Sequence, residues 1–286
     1  MGKLSGKIAL VTGGSRGIGA SAVRALAREG AHVIIHYGKE AAKADELARE
    51  IKGLGGKADV VGAELAAPDA ALNLAKQVKE ITDTLDILVL NAGTGLLAPI
   101  EETTIAEFDR LFAVNVRAPY FTLQQLLPIL SDGASVVFTS SVVARAQVAG
   151  LSAYAGTKGA INTFVKQLAP VLAERNIRVN AVAPGVIETD LSSFVKSEDG
   201  KGYALGLQSL KRLAGPDDIA QAYVFLASDD SRWVTGEILD TRGGTKLRVT
   251  SVGSAPSPRR LQPQMAPPSE PQRMAAHISA TSRPRA

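Results

Sequence analysis

The chain has 286 residues, enough for one large α/β domain with a sizeable core, and its apolar and charged fractions are ordinary for a globular protein. It has no cysteine and only three histidines, His32, His36 and His277, which excludes disulfides and gives no basis for a metal centre. The net charge of +4 arises in residues 248–286, which carry six arginines and one glutamate. The remaining body carries −1, so it is not a polyanion-binding surface.

The amino terminus lacks the apolar core of a signal peptide, and no apolar run reaches membrane-spanning length. We therefore expect a soluble, cytoplasmic protein.

The first predicted unit is a strand, a glycine turn and a helix. Residues 7–11 form a short apolar run, and a helical pattern ends at Gly30. Glycines between them allow a tight turn and close approach to a pyrophosphate, whose charge lies at the helix N-terminus. A simple tight turn is the alternative. The flanking strand and helix favour a dinucleotide site, and the turn reads Thr12-Gly13-Gly14-Ser15-Arg16-Gly17-Ile18-Gly19.

The second unit bears on the choice of cofactor. Residues 32–37 predict a strand and residues 39–53 an amphipathic helix. In NAD-binding units an acid near the end of this strand holds the ribose 2′-hydroxyl. This chain has no acid at the end of the strand, and Arg16 and Lys39 favour the 2′-phosphate of NADP(H). A small register shift would make Glu40 a ribose ligand, which would favour NAD(H). The positions at the strand end are His36, Tyr37, Gly38 and Lys39.

The middle of the chain predicts a strand over residues 57–61, a helix over 69–82, a strand over 86–90 and a long helix over 105–130. Asn115 falls in the middle of that long helix. Asparagine is a poor interior helix residue, because its amide competes for backbone hydrogen bonds. Asn115 therefore indicates either a solvent-facing position or a local break in the helix.

A fifth strand over residues 134–139 delivers Ser140 and Ser141, and a helix carrying Tyr154 and Lys158 runs to about Arg175. Positions i and i+4 share one helix face, so the ammonium is expected to lower the phenol pKa toward neutrality, where proton transfer is efficient. Taken alone, Tyr-x-x-x-Lys also occurs as a surface pair. The nucleotide-binding turn in the same chain favours the catalytic interpretation.

Residues 177–183 predict a sixth strand that ends at Pro184-Gly185, at the sheet edge where ligands bind in open α/β folds. Residues 191–210 lack firm periodicity and predict a mobile substrate lid. A helix begins near Gly215, and residues 236–240 form the last strand. Residues 248–286 contain half of the fourteen prolines and predict disorder; without aromatic residues for stacking, nucleic-acid binding is not favoured.

On these motifs, in order and at family spacing, residues 4–247 resemble the short-chain dehydrogenase/reductase family, near its 3-oxoacyl-carrier-protein reductases. The resemblance implies one Rossmann-type domain over residues 1–247, including the substrate loop at 191–210. It also implies a doubly wound parallel sheet of about seven strands in the order 3-2-1-4-5-6-7. Residues 248–286 form a separate tail.

The resemblance also implies residue roles. Tyr154 is the general acid/base, Ser141 polarises the carbonyl, Lys158 binds the nicotinamide ribose, and Asn115 holds a water of a proton relay. Thr189 contacts the carboxamide. The implied cofactor-binding residues are Gly13, Ser15, Arg16, Gly17, Ile18, Gly19, His36, Tyr37, Gly38, Lys39, Glu64, Leu65, Asn91, Ala92, Gly93, Tyr154, Lys158, Pro184, Gly185, Ile187 and Thr189.

Two departures limit the resemblance. The family usually has Asp at the end of strand three, where this chain has Glu64. Carrier-protein reductases carry basic residues at the end of the long helix, where this chain has Gln124 and Gln125, while Arg175 remains near a second such patch. A small carbonyl substrate is therefore favoured over an acyl-carrier substrate. A non-catalytic nucleotide-binding regulator is the rival from another class, and the family implies a homotetramer or homodimer.

Overall fold

A computed structural model describes residues 2–245, apart from the side chains of Leu191 and Ser193. Its strands form one parallel seven-stranded sheet in the order β3-β2-β1-β4-β5-β6-β7, which confirms the predicted order. The strands are β1 (Ile8–Val11), β2 (His32–Tyr37), β3 (Ala58–Gly62), β4 (Leu85–Leu90), β5 (Leu130–Thr139), β6 (Arg178–Pro184) and β7 (Ile238–Thr241).

Helices connect the strands and cover both faces of the sheet. They are α1 (Gly17–Arg28), α2 (Ala41–Gly53), α3 (Ala70–Ile81), α4 (Ile105–Phe112), α5 (Ala118–Leu126), α6 (Ser152–Leu172), α7 (Glu198–Leu207) and α8 (Pro216–Ala227). None of the helices within residues 2–245 combines the length and the apolar character needed to cross a membrane.

The sheet is buried on both faces because successive side chains of each strand point in opposite directions. Ala9 and Val11 pack with α1, α2 and α8, whereas Leu10 packs with α3, α5 and α6. In register, Leu10 lies beside Ile34 of β2 and Leu88 of β4. Because all seven strands are parallel, their carboxyl ends lie at one edge of the sheet, and the predicted site residues follow the strands at that edge.

Three predicted elements differ in the structure. The helix over residues 105–130 is divided by a π-helical turn at Ala113–Arg117, and β5 begins at Leu130 rather than residue 134. Residues 191–210, which lack firm periodicity in the sequence, contain regular structure, and their role as a substrate lid stays a prediction. A 3₁₀ segment, Asp190–Lys196, precedes α7, whose first turn is capped by the Ser197 hydroxyl accepting the Gly200 N–H at 3.2 Å. The glycines of α7 weaken the helical pattern of its sequence.

The predicted disordered tail, residues 248–286, lies outside the described residues.

Candidate active site

The glycine turn is held against β4 by Thr12 and Asn91. The Thr12 hydroxyl accepts the N–H groups of Asn91 and Ala92, each at 3.0 Å, and the Asn91 amide donates to the Thr12 carbonyl at 3.0 Å. Gly13 has a φ of +63°, which favours glycine, and a Cβ at Gly19 would lie 2.1 Å from the Gly13 oxygen. The turn therefore brings bare backbone to the start of α1, where a pyrophosphate binds in this kind of fold.

The end of β2 contributes one interior and three outer residues. The His36 side chain is buried, and it accepts the Gly13 N–H through Nδ1 at 3.0 Å. The Tyr37 ring packs over Gly62, where a Cβ would lie 2.7 Å from the phenol oxygen. Gly38 is open, and Lys39 extends into solvent with its ammonium 3.8 Å from the Glu64 carboxylate. Of these four residues predicted at the ribose, His36 is the fully buried one, whereas Tyr37 is partly buried against the core.

Cations near the glycine turn are each paired with an exposed carboxylate. Arg16 lies 3.0 Å from Asp190, and Lys43 lies 3.3 Å from Glu40. Glu40 immediately precedes α2 and is directed toward Lys43, one turn along that helix. Exposed pairs of this kind contribute about 1 kcal/mol or less. A phosphate can therefore replace these carboxylates at small cost.

Asn115 is buried inside the π-helical turn, so its solvent-facing alternative is wrong. Its Oδ1 accepts the Thr94 N–H at 2.9 Å, and its Nδ2 donates to the Thr94 carbonyl at 2.9 Å and to the Thr157 hydroxyl at 3.2 Å. The amide thus ties the loop after β4 to α6, the helix that carries Tyr154 and Lys158. The relay water predicted from the resemblance stays a prediction.

Ser141, Tyr154 and Lys158 converge at the carboxyl ends of β4 and β5. The Ser141 oxygen accepts the Val143 N–H at 3.3 Å, and its hydroxyl also interacts with the Tyr154 phenol. Lys158 is buried, donates to the Thr139 carbonyl at 2.8 Å, and lies 3.6 Å from the position of a Cβ on Gly93. Its Nζ is 5.7 Å from the centre of the Tyr154 ring.

Burial controls the protonation of this cluster. Burial of the Tyr154 hydroxyl raises its pKa to about 12, while the interaction with the Ser141 hydroxyl acts in the opposite direction. Burial also lowers the pKa of Lys158 to about 8. The phenol pKa thus moves away from neutrality, opposite to the direction predicted from the Tyr-x-x-x-Lys pair. The phenol is consequently protonated at neutral pH and available as an acid.

The loop after β6 lies over the glycine turn. Ile187 is buried and forms a bridge with Ala214, and the Thr189 methyl group lies 3.6 Å from the position of a Cβ on Gly17. A Cβ on Gly185 would lie 3.1 Å from the Arg242 backbone, so this loop also packs against the end of β7. The predicted residues of this loop therefore face the predicted residues of the turn.

Several residues of the site carry no sequence motif. Thr139 receives the Lys158 hydrogen bond through its carbonyl, and its hydroxyl is 2.7 Å from the buried hydroxyl of Tyr223. The Ser140 hydroxyl donates to Asn162 at 2.6 Å, which joins β5 to the middle of α6. The two members of each pair are far apart in the sequence. The one sequence signal that could have identified any of them is that Ser140 lies next to Ser141.

Two open depressions lie near the glycine turn and near the end of β3. One, of about 430 Å³, includes Ser15, Arg16 and Lys43 in its lining, and the other, of about 410 Å³, includes Gly62 and Glu64. Within residues 2–245 there is no cluster of three or more metal-ligating side chains.

The sequence matches known proteins over this whole region. Residues 13–246 match the family model described as Enoyl-(Acyl carrier protein) reductase. Versicolorin reductase stcU of Emericella nidulans is 38% identical, with 85% of this chain and 96% of the relative covered. Trihydroxynaphthalene reductase of Colletotrichum orbiculare is 36% identical, with 84% and 89% covered.

Among solved structures, the angucycline C-6 ketoreductase LanV with bound NADP is 38% identical and superposes with a TM-score of 0.81, covering 85% of this chain and 97% of LanV. The family match and these similarities extend from the glycine turn to the last strand. The chain therefore belongs to the short-chain dehydrogenase/reductase family.

Proposed function

We propose that this protein is an NADP(H)-dependent carbonyl reductase that acts on small, apolar ketones or aldehydes, or on the corresponding secondary alcohols. The observation that carries the proposal is the meeting of Ser141 and Tyr154 beside buried Lys158, at the same sheet edge as the glycine turn. LanV, a relative of similar fold, was solved with NADP, which supports the same cofactor class here.

The chain's residues fit a 2′-phosphorylated dinucleotide. Gly13 and Gly17 have φ angles of +63° and +54°, and Gly19 leaves no room for a Cβ, so the turn can approach a pyrophosphate closely. Arg16 and Lys39 supply cations at the ribose end. The Glu40 carboxylate is directed toward Lys43 rather than left as a ribose ligand, which favours NADP(H) over NAD(H).

The proposed roles follow from the protonation states. When bound, reduced nicotinamide would supply the hydride that reduces the carbonyl carbon. Tyr154, protonated at neutral pH, donates its proton to the carbonyl oxygen, and the Ser141 O–H turns to donate a second hydrogen bond to the same oxygen. Negative charge develops on that oxygen in the transition state, where such fixed donors are most effective. Lys158 holds a nicotinamide ribose hydroxyl.

The rim of the site favours an apolar substrate. The loop after β4 is joined to the loop before α6 by the Ala98 N–H, which donates to the Gly150 carbonyl at 2.9 Å. Exposed Leu97 and Val148 lie on these two loops, and Phe194 is exposed on the segment before α7. The similar proteins include reductases named for versicolorin and trihydroxynaphthalene, which supports aromatic ketones as the first substrates to test.

A carrier-protein substrate is less well supported. The Arg175 guanidinium, a candidate basic docking residue in the sequence, instead contacts Asp132 and the carbonyls of Leu127 and Leu130. It therefore holds the start of β5 and the turn before it. With Gln124 and Gln125 nearby, little positive charge remains there for an acidic carrier protein.

We also propose a homotetramer, with a homodimer as the alternative, built on the helices α4, α5 and α6. Ile105, Phe108 and Phe121 are exposed apolar side chains on the first two of these helices, and contiguous exposed apolar surface is typical of interfaces. Light scattering coupled to size-exclusion chromatography measures this directly, and a monomer at micromolar concentration would contradict it.

The test of the proposed function is NADPH oxidation with a panel of aromatic and aliphatic ketones, using wild type, Tyr154→Phe and Tyr120→Phe. Tyr120 lies on α5, outside the cluster of Ser141, Tyr154 and Lys158, and serves as the matched control. Loss of one oxyanion donor typically costs about 2.7–4 kcal/mol, or roughly 100- to 1,000-fold in rate. We expect that loss in Tyr154→Phe alone, with NADPH affinity retained.

Near-wild-type turnover in Tyr154→Phe would refute the catalytic role. NADPH binding by the wild type without oxidation by any carbonyl compound would instead support the non-catalytic regulator.

A further inference from the structure

His36 is a buried titratable residue that the proposed reaction does not use. Its Nδ1 accepts the Gly13 N–H at 3.0 Å, and its Nε2 lies 3.0 Å from the Ala63 carbonyl oxygen. Its own backbone carbonyl accepts the Gly14 N–H at 2.8 Å. One residue of β2 therefore contacts both the glycine turn after β1 and the segment that follows β3.

These partners determine the tautomer of the ring. A backbone N–H can only donate, so Nδ1 must be unprotonated, and a carbonyl can only accept, so Nε2 must carry the proton. The imidazole is therefore neutral. Burial, which opposes the charged form, lowers the His36 pKa to about 4 and keeps this state at physiological pH.

The two bonded segments belong to different parts of the nucleotide site. Gly13 begins the pyrophosphate turn and is already restrained by Asn91, whose amide lies 3.3 Å from the Gly13 oxygen. Ala63 precedes Glu64, which the family resemblance implies as a cofactor-binding residue at the end of β3. With both ring nitrogens bonded to protein and the side chain 1% exposed, His36 has no polar atom left for the nucleotide.

We propose that His36 is a positioning residue, whose neutral ring fixes the glycine turn and the segment after β3 in the arrangement that binds NADP(H). The proposal rests on the proposed function, because the arrangement matters through the cofactor. His36 acts on affinity through Gly13 and Ala63, without touching the nucleotide.

The geometry provides a matched pair of variants. The side-chain oxygen of Asn can occupy the place of Nδ1, so His36→Asn keeps an acceptor for the Gly13 N–H and loses the donor to Ala63. The side-chain nitrogen of Gln can occupy the place of Nε2, so His36→Gln keeps the donor and leaves the Gly13 N–H without a partner. Each variant loses one hydrogen bond, so both are expected to lose similar stability.

The experiment measures NADPH dissociation constants by calorimetry, thermal stability, and hydrogen exchange of the Gly13 and Gly14 amides by NMR in the cofactor-free protein. We expect His36→Gln to weaken NADPH binding by about 5- to 10-fold and to speed Gly13 exchange, with kcat at saturating NADPH within about twofold of wild type. His36→Asn should stay within about twofold of wild type in both affinity and Gly13 exchange. ¹⁵N shifts of the wild-type ring should identify an Nε2–H tautomer.

Equal loss of NADPH affinity in the two variants, in proportion to their loss of stability, would reduce His36 to an ordinary core residue and overturn the proposal. So would unchanged Gly13 exchange in His36→Gln, or an Nδ1–H tautomer. Failure of the wild type to bind NADPH at all would instead overturn the proposed function, and the exchange and tautomer results separate the two failures.

Discussion

Lys158 lies beneath the ring of Tyr154, with its Nζ 5.7 Å from the ring centre, and directs its hydrogen bond to the Thr139 carbonyl at 2.8 Å. Burial lowers the pKa of this lysine to about 8 and raises that of the phenol to about 12. Of the two groups, the lysine is therefore the one that titrates near neutral pH. The pH dependence of cofactor binding should follow Lys158 rather than Tyr154.

The first prediction concerns this titration. The charged ammonium is present below pH 8 and is lost as the pH rises through that value, so NADPH affinity should fall several-fold between pH 7 and 9. The same profile is expected in Tyr154→Phe, because the phenol stays protonated throughout this range. Fluorescence titration with NADPH at each pH measures it, and disappearance of the midpoint in Tyr154→Phe would assign it to the phenol instead.

The second prediction compares two glycines. A Cβ at Gly19 would lie 2.1 Å from the Gly13 oxygen and 2.6 Å from the Asn91 amide, so Gly19→Ala must displace the turn and should weaken NADPH binding more than tenfold. Gly53, the last residue of α2, has no atom within 4 Å of such a Cβ. Gly53→Ala should leave binding unchanged and raise the free energy of unfolding by up to about 1 kcal/mol. Calorimetry and thermal unfolding provide both readouts.

The third prediction tests cofactor discrimination. Arg16 is held by Asp190 through an exposed pair that a phosphate can replace, so Arg16→Ala should weaken NADPH about tenfold while changing NADH by less than twofold. Arg28, exposed at the other end of α1, is the control. The measurement is the dissociation constants of NADPH and NADH for wild type and for the Arg16 and Arg28 variants. Equal weakening of NADH and NADPH would show that Arg16 does not hold the 2′-phosphate.

The fourth prediction follows from the buried state of His36. Its pKa is about 4 in the folded protein against 6.5 for the ordinary side chain, so the unfolded chain binds more protons between these values. The stability due to the neutral ring is complete above pH 6.5 and is lost as the pH falls toward 4, by about 3 kcal/mol. Glu64 is the charged neighbour that acts on it.

His36→Asn cannot titrate, so the difference in unfolding free energy between it and wild type should move by about this amount in favour of the variant from pH 7 to pH 4. Chemical unfolding at a fixed protein concentration measures the difference. A constant difference across this range would mean that His36 is not held neutral.

The sheet could be predicted because its information is local. Apolar runs alternate with helical patterns, which predicts a parallel sheet covered by helices, whereas the strand order was implied by the family resemblance. Asn115 also indicated a break, since an asparagine amide competes with helical hydrogen bonds, and the π-helical turn lies there. By contrast, α7 escaped prediction because its glycines weaken the helical pattern, although the Ser197 cap stabilises its first turn.

The sequence by itself determined the alternation of strands and helices and the motifs that follow the strands, because spacing and hydrophobic periodicity are properties of neighbouring residues. Those motifs identified the family, and the family resemblance implied the strand order. Only the tertiary structure decided how those residues behave. Burial reversed the expected shift of the Tyr154 pKa. Folding placed the His36 ring between Gly13 and Ala63, and the Arg175 guanidinium against the Leu127 carbonyl. Desolvation and long-range hydrogen bonds depend on which distant segments meet, and that is settled only when the chain is folded.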